Sequence, residues 1–185
     1  MTFVSIVGNS SYINVVADGL AVFNNGLKIE DFKKVVSYGD RFIAFAGTLQ
    51  GCEPVIVEAE KLKDLPYNIW EERLIDITKN ISPEHRAIIC VGGRENNKLT
   101  FSSFRNDPQA SVEKFTPENN KDLTYVFLSN VENQQELDTE FSKYVKRYKS
   151  FKPRDVLLAQ IDLNEYVHSK FPNEVNKKIT KLTFK

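Results

Sequence analysis

The spacing of apolar residues switches between two periods along this chain, and where it becomes helical it does so in consecutive pairs of segments. The first quarter reads as short strands over residues 3–7, 12–17, 20–23, 33–38 and 41–47. They are separated by Gly8-Asn9-Ser10-Ser11, Asp18-Gly19, Asn24-Asn25-Gly26 and Gly39-Asp40 as turn signals. The run 41–47 is apolar on both faces, as expected of a strand buried between layers. Leu49, Cys52, Ile56, Ala59 and Leu62 then recur at three and four residues, which predicts an amphipathic helix beginning just after Thr48. A second helix starts near Pro66, carries Trp70, Leu74, Ile77 and Ile81, and closes at Ser82-Pro83.

Strands return over 86–91 and 99–104, with Gly92-Gly93 read as the turn between them. An edge strand is expected around 112–115 and a fully apolar one over 123–128. Two more helices follow. The first, about 131–148, places Leu137, Phe141, Tyr144, Val145 and Tyr148 on one face. The second opens at Pro153, a good first-turn residue, and carries Val156, Leu157, Gln160, Leu163 and Val167. Ile179, Leu182 and Phe184 end the pattern as a last strand. Helix pairs set between runs of strands argue for α+β layers rather than alternating βαβ units. Two sheets face to face with a helix pair on each outer side would bury every apolar face, which is a four-layer αββα sandwich. The expectation is one domain over 1–185, without repeats or linkers.

Bulk properties narrow the function. At 41% apolar and 27% charged residues the composition is that of an ordinary globular chain. Twenty-five basic residues balance 25 acidic ones, so no footprint for nucleic acid or an anionic membrane is expected. Cys52 and Cys90 sit in apolar stretches outside any CxxC or zinc pattern and read as buried thiols of a reducing compartment. The first ten residues lack a basic region and a long apolar core, so no secretory signal is read, and no run approaches the roughly 20 apolar residues of a spanning helix. A cytoplasmic protein is the expectation. His85 and His168 have no partners at a metal spacing, and no cofactor is expected. Lys177, Lys178, Lys181 and Lys185 read as a solvated edge.

Four short motifs in fixed order carry a resemblance. Thr2-Phe3-Val4-Ser5-Ile6-Val7 opens the chain after Met1, followed by Ala17-Asp18-Gly19, Lys33-Lys34-Val35 and Phe45-Ala46-Gly47. In this order and spacing they resemble proteasome β-subunits and the proteolytic ring of the bacterial two-component heat-shock protease, which are N-terminal-nucleophile (Ntn) hydrolases. The sixteen residues from Asp18 to Lys34 match the family's spacing between its two supporting residues. The resemblance implies the same four-layer fold and a threonine-type peptidase acting on peptides or unfolded proteins. It also implies a homo-oligomer, the family's form being a ring.

The resemblance assigns catalytic roles to Thr2, Asp18, Lys34, Gly47 and Ser129. An N-terminal threonine is nucleophile and base in one residue: the hydroxyl attacks a carbonyl and the free α-amine takes the proton. Such an amine has a reference pKa of about 8, close to working pH. Lys34 would lower it further by its charge, and Asp18 would hold Lys34 charged and aimed. The Gly47 N–H would face the developing oxyanion, a role worth about 3 kcal/mol. Ser129 would support the amine.

Plainer roles stand beside these. Asp18-Gly19 is a common turn pair, and Lys33 and Lys34 are neighbours of which spacing favours Lys34 as the inward one. Gly47 also fits a strand-to-helix junction, and Ser129 a helix N-cap. The chain departs from the family pattern at Asn130-Val131, where glycines are usual, and at Thr48, where the bacterial ring has a second glycine. Only Asn173 or Glu174 lies near the place of the acidic residue expected by the end of the last helix. Activity requires loss of Met1, which a methionine aminopeptidase could remove before a residue as small as threonine. The alternatives are an inactive structural or binding subunit and an Ntn amidohydrolase with a non-peptide amide substrate.

Overall fold

The computed structural model describes residues 2–23, 26–129 and 134–185. In chain order the elements are β1 (Phe3–Asn9), β2 (Tyr12–Asp18), β3 (Ala21–Val22), β4 (Lys28–Ile29), β5 (Val35–Tyr38) and β6 (Arg41–Gly47). Helices α1 (Leu49–Lys61) and α2 (Tyr67–Lys79) follow, then β7 (Ala87–Glu95), β8 (Lys98–Arg105), β9 (Glu113–Phe115) and β10 (Thr124–Ser129). Helices α3 (Gln134–Tyr148) and α4 (Pro153–Lys170) and strand β11 (Ile179–Phe184) complete the chain. They form two compact units, Met1–Lys34 with Pro117–Lys185 and Val35–Thr116.

The first unit is built on an antiparallel sheet in the order β10-β1-β2-β11. Every residue of β1 and β2 is buried, so these two central strands are covered on both faces. On one face Phe3, Val7, Tyr12 and Phe127 pack with Leu137 and Phe141 of α3 and Val156, Ala159 and Leu163 of α4. Polar side chains inside this layer bond across it. Gln160 of α4 donates to the Ser5 carbonyl at 2.9 Å and to Ser5 Oγ at 3.0 Å. Asn14 of β2 donates to the Pro153 carbonyl at 2.7 Å and accepts from Thr183 of β11 at 2.8 Å. These bonds set the height of α4 over the sheet and so the position of the turn that follows it. Pro153 stands at the start of α4, where its missing N–H costs nothing. Residues 131–133 of the expected third helix lie outside the described residues.

The second unit is an antiparallel meander, β5-β6-β7-β8-β9, packed with α1 and α2. Thr48 caps α1 by accepting the Gly51 N–H at 3.1 Å. Trp70 of α2 is fully buried and donates to the Ala59 carbonyl of α1 at 3.1 Å, which locks the two helices together. Strand β9 falls where the edge strand was expected.

Three expectations are corrected. Gly92-Gly93 is not the turn: β7 runs through it to Glu95, and the reversal is at Asn96-Asn97, whose φ values are +49° and +65°. Two residues at positive φ between the Glu95–Lys98 pair make the tight turn that matches strand twist. Gly92 is needed for space, since a Cβ there would lie 2.4 Å from the Phe42 ring. Lys33 and Lys34 precede β5 rather than starting it, because β5 begins at Val35. The run 20–23 contributes only the two-residue strand β3, paired with β4 as a small ribbon.

Gly92→Ala therefore forces the added methyl against a ring fixed in the core. It is expected to cost about 1–3 kcal/mol, read as a lower urea midpoint at unchanged slope.

Candidate active site

The first unit brings Thr2, Asp18, Lys34 and Ser129 to one end of its sheet. Thr2 immediately precedes β1 and is 8% exposed. Ser129 ends β10 and pairs directly with Phe3, the residue after Thr2. Asp18 ends β2 on the other side of β1, one step beyond the Val4–Ala17 pair. Strand register alone thus sets a serine and an aspartate on either side of the start of β1.

The Asp18 carboxylate is fully buried and holds three donors. Oδ1 accepts the Leu20 N–H at 2.9 Å, the side-chain-to-backbone bond that makes Asp a turn residue. Oδ2 accepts both the Phe3 N–H at 2.7 Å and the Lys34 ammonium at 2.8 Å. Lys34 donates in addition to the Leu20 carbonyl at 2.7 Å and is 2% exposed, whereas Lys33 is exposed. The turn reading and the pairing reading of Asp18 are both realised, by different oxygens of one carboxylate. Burial pushes the Lys34 pKa below that of an ordinary lysine, and the charge and hydrogen bond of Asp18 oppose that shift. The arrangement couples the backbone of the residue after Thr2 to a buried ammonium through a single oxygen atom.

Gly47 belongs to the second unit. It ends β6 at a φ of +134°, and a Cβ there would stand 2.1 Å from the Arg86 carbonyl oxygen. The local backbone requires glycine at this junction, so the junction role holds whatever else its N–H does.

Asn173 and Glu174 lie in the turn after α4, Asn173 exposed. The residue of that turn that reaches the Asp18 bend is Asn176, which accepts the Gly19 N–H at 3.0 Å. Sequence reasoning passes over Asn176, because its partner is 157 residues away and no local pattern marks it. The Phe3 N–H and the Leu20 carbonyl are missed for a different reason: they are backbone groups that any residue would supply. His168 of α4 meets the turn that follows the helix, with Nδ1 2.6 Å from the Val175 carbonyl oxygen. Both cysteines are buried; burial pushes the Cys52 thiol up to about 12 and Cys90 higher still, so neither is poised as a nucleophile. Among the described residues no group of three or more His, Cys, Asp or Glu is arranged to hold a metal ion, and no helix is long and apolar enough to cross a membrane.

Comparison with known proteins agrees with this geometry at the level of fold. The fold is proteasome β-subunit-like, an α+β arrangement of antiparallel sheets and four helices among the described residues. Eukaryotic HslV from Trypanosoma brucei superposes with a TM-score of 0.65 over 99% of this chain and 99% of that one, at 11% identity. Anbu, an ancestral β-subunit from Yersinia bercovieri, superposes with a TM-score of 0.70 over 100% of this chain and 82% of its own, at 12% identity. No protein-family model matches the sequence. No curated protein sequence matches it significantly.

Removing one partner of the buried pair tests its weight. Asp18→Asn leaves the Lys34 ammonium buried without its counter-charge and is expected to cost about 3–5 kcal/mol, measured by chemical denaturation. A loss under about 1 kcal/mol would mean that the ammonium finds water or another partner.

Proposed function

We propose that this chain is a threonine-type Ntn hydrolase that cleaves peptide bonds with Thr2 as nucleophile once Met1 is removed. The observation that supports this best is the shared Asp18 oxygen, which ties the Phe3 N–H and the Lys34 ammonium together. An ammonium has three N–H donors, and Asp18 and Leu20 take two of them. In the proposed mechanism the third faces Thr2. The Thr2 hydroxyl oxygen bonds to the substrate carbonyl carbon while its proton passes to the α-amine. The amine then returns that proton to the leaving amide nitrogen as the carbon–nitrogen bond breaks. Water hydrolyses the resulting ester by the same route in reverse, and Thr2 is restored. Lys34 lowers the pKa of the amine and favours developing charge on the hydroxyl oxygen. Ser129 supports the amine, and the resemblance gives the oxyanion to the Gly47 N–H.

The same reading takes residues 1–185 as one domain, a four-layer αββα sandwich. It places the protein in the cytoplasm as a homo-oligomer, a ring by the family's pattern, with peptides or unfolded proteins as substrates. A second reading is a non-catalytic subunit. It is favoured by the fact that the Asp18–Lys34 pair also braces a bend and a strand end, a role that needs no free amine on Thr2.

Thr2→Ala is expected to abolish hydrolysis of fluorogenic peptides with the fold intact by circular dichroism, and Thr2→Ser to keep part of it. Unchanged hydrolysis by Thr2→Ala would sink the proposal. The pH profile of kcat/KM carries a second expectation. Activity rises as the α-amine loses its proton and falls as Lys34 loses its own, and the alkaline limb lies below an ordinary lysine's pKa because burial depresses it.

A further inference from the structure

We infer that Asn176 is a positioning residue of this site, its side-chain amide clasping the Asp18–Gly19 bend to the segment that leads into Lys34. The inference rests on the peptidase reading for its consequence and on hydrogen bonds within the first unit for its geometry. Asn176 Oδ1 accepts the Gly19 N–H at 3.0 Å, one residue from the carboxylate that holds Lys34. Asn176 Nδ2 donates to the Glu30 carbonyl at 2.9 Å, four residues before Lys34. Only one orientation of the amide satisfies an N–H on one side and a carbonyl on the other, so the two segments fix its sense.

The clasp has a firm base. The Asn176 carbonyl accepts from Asn164 of α4 at 3.0 Å, and Asn164 is 1% exposed. The preceding residue, Val175, is fully buried and its N–H bonds the Phe171 carbonyl at 3.0 Å. Its own carbonyl lies 2.6 Å from His168 Nδ1. The turn is thus held by two residues of α4 and by Phe171, which follows that helix, before its amide reaches the bend. On the far side, the Gly19 carbonyl accepts the Phe32 N–H at 2.9 Å, which closes the loop between the bend and the approach to Lys34. The Lys178 carbonyl also accepts the Gly19 N–H at 2.8 Å, so the bend survives loss of the amide but loses its tie to residue 30. Asp18 and Lys34 sit on the two segments that Asn176 joins, and their relative placement is what the proposed mechanism needs.

The variants are Asn176→Ala, which removes both bonds, and Asn176→Asp, which keeps the acceptor for Gly19 but not the donor for Glu30. In the full-length protein, Asn176→Ala is expected to lower kcat about 10- to 100-fold with KM changed less than about twofold. Asn176→Asp should fall between it and wild type. A merely structural role would lower the amount of folded enzyme without this split. Should the wild type show no hydrolysis, the peptidase reading fails, and a second measurement still decides the clasp. The ε-carbon resonance of Lys34 in ¹³C-lysine-labelled protein reports its titration beside Asp18, the charged group it bonds. Its midpoint should lie below an ordinary lysine's in wild type and move further down in Asn176→Ala, because a looser pair gives up the charge and hydrogen bond of Asp18 that oppose the effect of burial. A folded Asn176→Ala protein with wild-type kcat, or in the inactive case with an unmoved Lys34 midpoint, would overturn the inference.

Discussion

Everything proposed for this protein depends on one buried carboxylate. Asp18 is fully shielded from water, and such a group is tolerated only when donors replace its hydration shell. Leu20 and Phe3 supply two backbone N–H groups and Lys34 an ammonium. Each donor ties a different piece of chain: the bend itself, the start of β1, and the segment before β5. The ion pair is costly to bury and weak evidence of stability taken alone. Its value lies in geometry, because it fixes a positive charge two hydrogen bonds from the backbone of the residue that follows Thr2.

The surrounding unit is arranged to keep that pair dry and still. β1 and β2 are buried on both faces, so the end at which Thr2, Asp18 and Ser129 meet is a rigid sheet rather than a loop. Gln160 and Asn14 lock α4 to these strands through polar bonds inside the apolar layer. The turn after α4 then carries Asn176 back to the Asp18 bend. Packing of a helix pair on a sheet is thereby converted into the placement of two charged atoms.

How much of this was legible in the sequence follows from the range of each interaction. Both helix pairs were readable because Leu137 and Phe141, or Trp70 and Leu74, repeat at the helical period and face a core. Lys34 was readable as the inward lysine from its distance to Asp18, and it is buried where Lys33 is not. Gly92-Gly93 misled because a glycine pair signals a turn, whereas Gly92 here makes room for the Phe42 ring across the β6–β7 ladder. Asn176 left no mark, since an asparagine in a polar turn looks the same whether or not a distant bend comes to meet it. The junction reading of Gly47 needs no chemistry, since the backbone at +134° accounts for a glycine there.

The central claim is that Thr2 acts with its own amine, and the most direct measurement is the mass of the untagged protein before and after exposure to a peptide epoxyketone. The adjacent ketone and epoxide carbons of that reagent are captured by a hydroxyl and an amine of one residue. The account predicts a chain lighter by one methionine, then a single adduct that fragmentation places on Thr2. A chain that keeps Met1, or a lighter chain that forms no adduct at Thr2, would contradict it and leave the non-catalytic subunit as the better description.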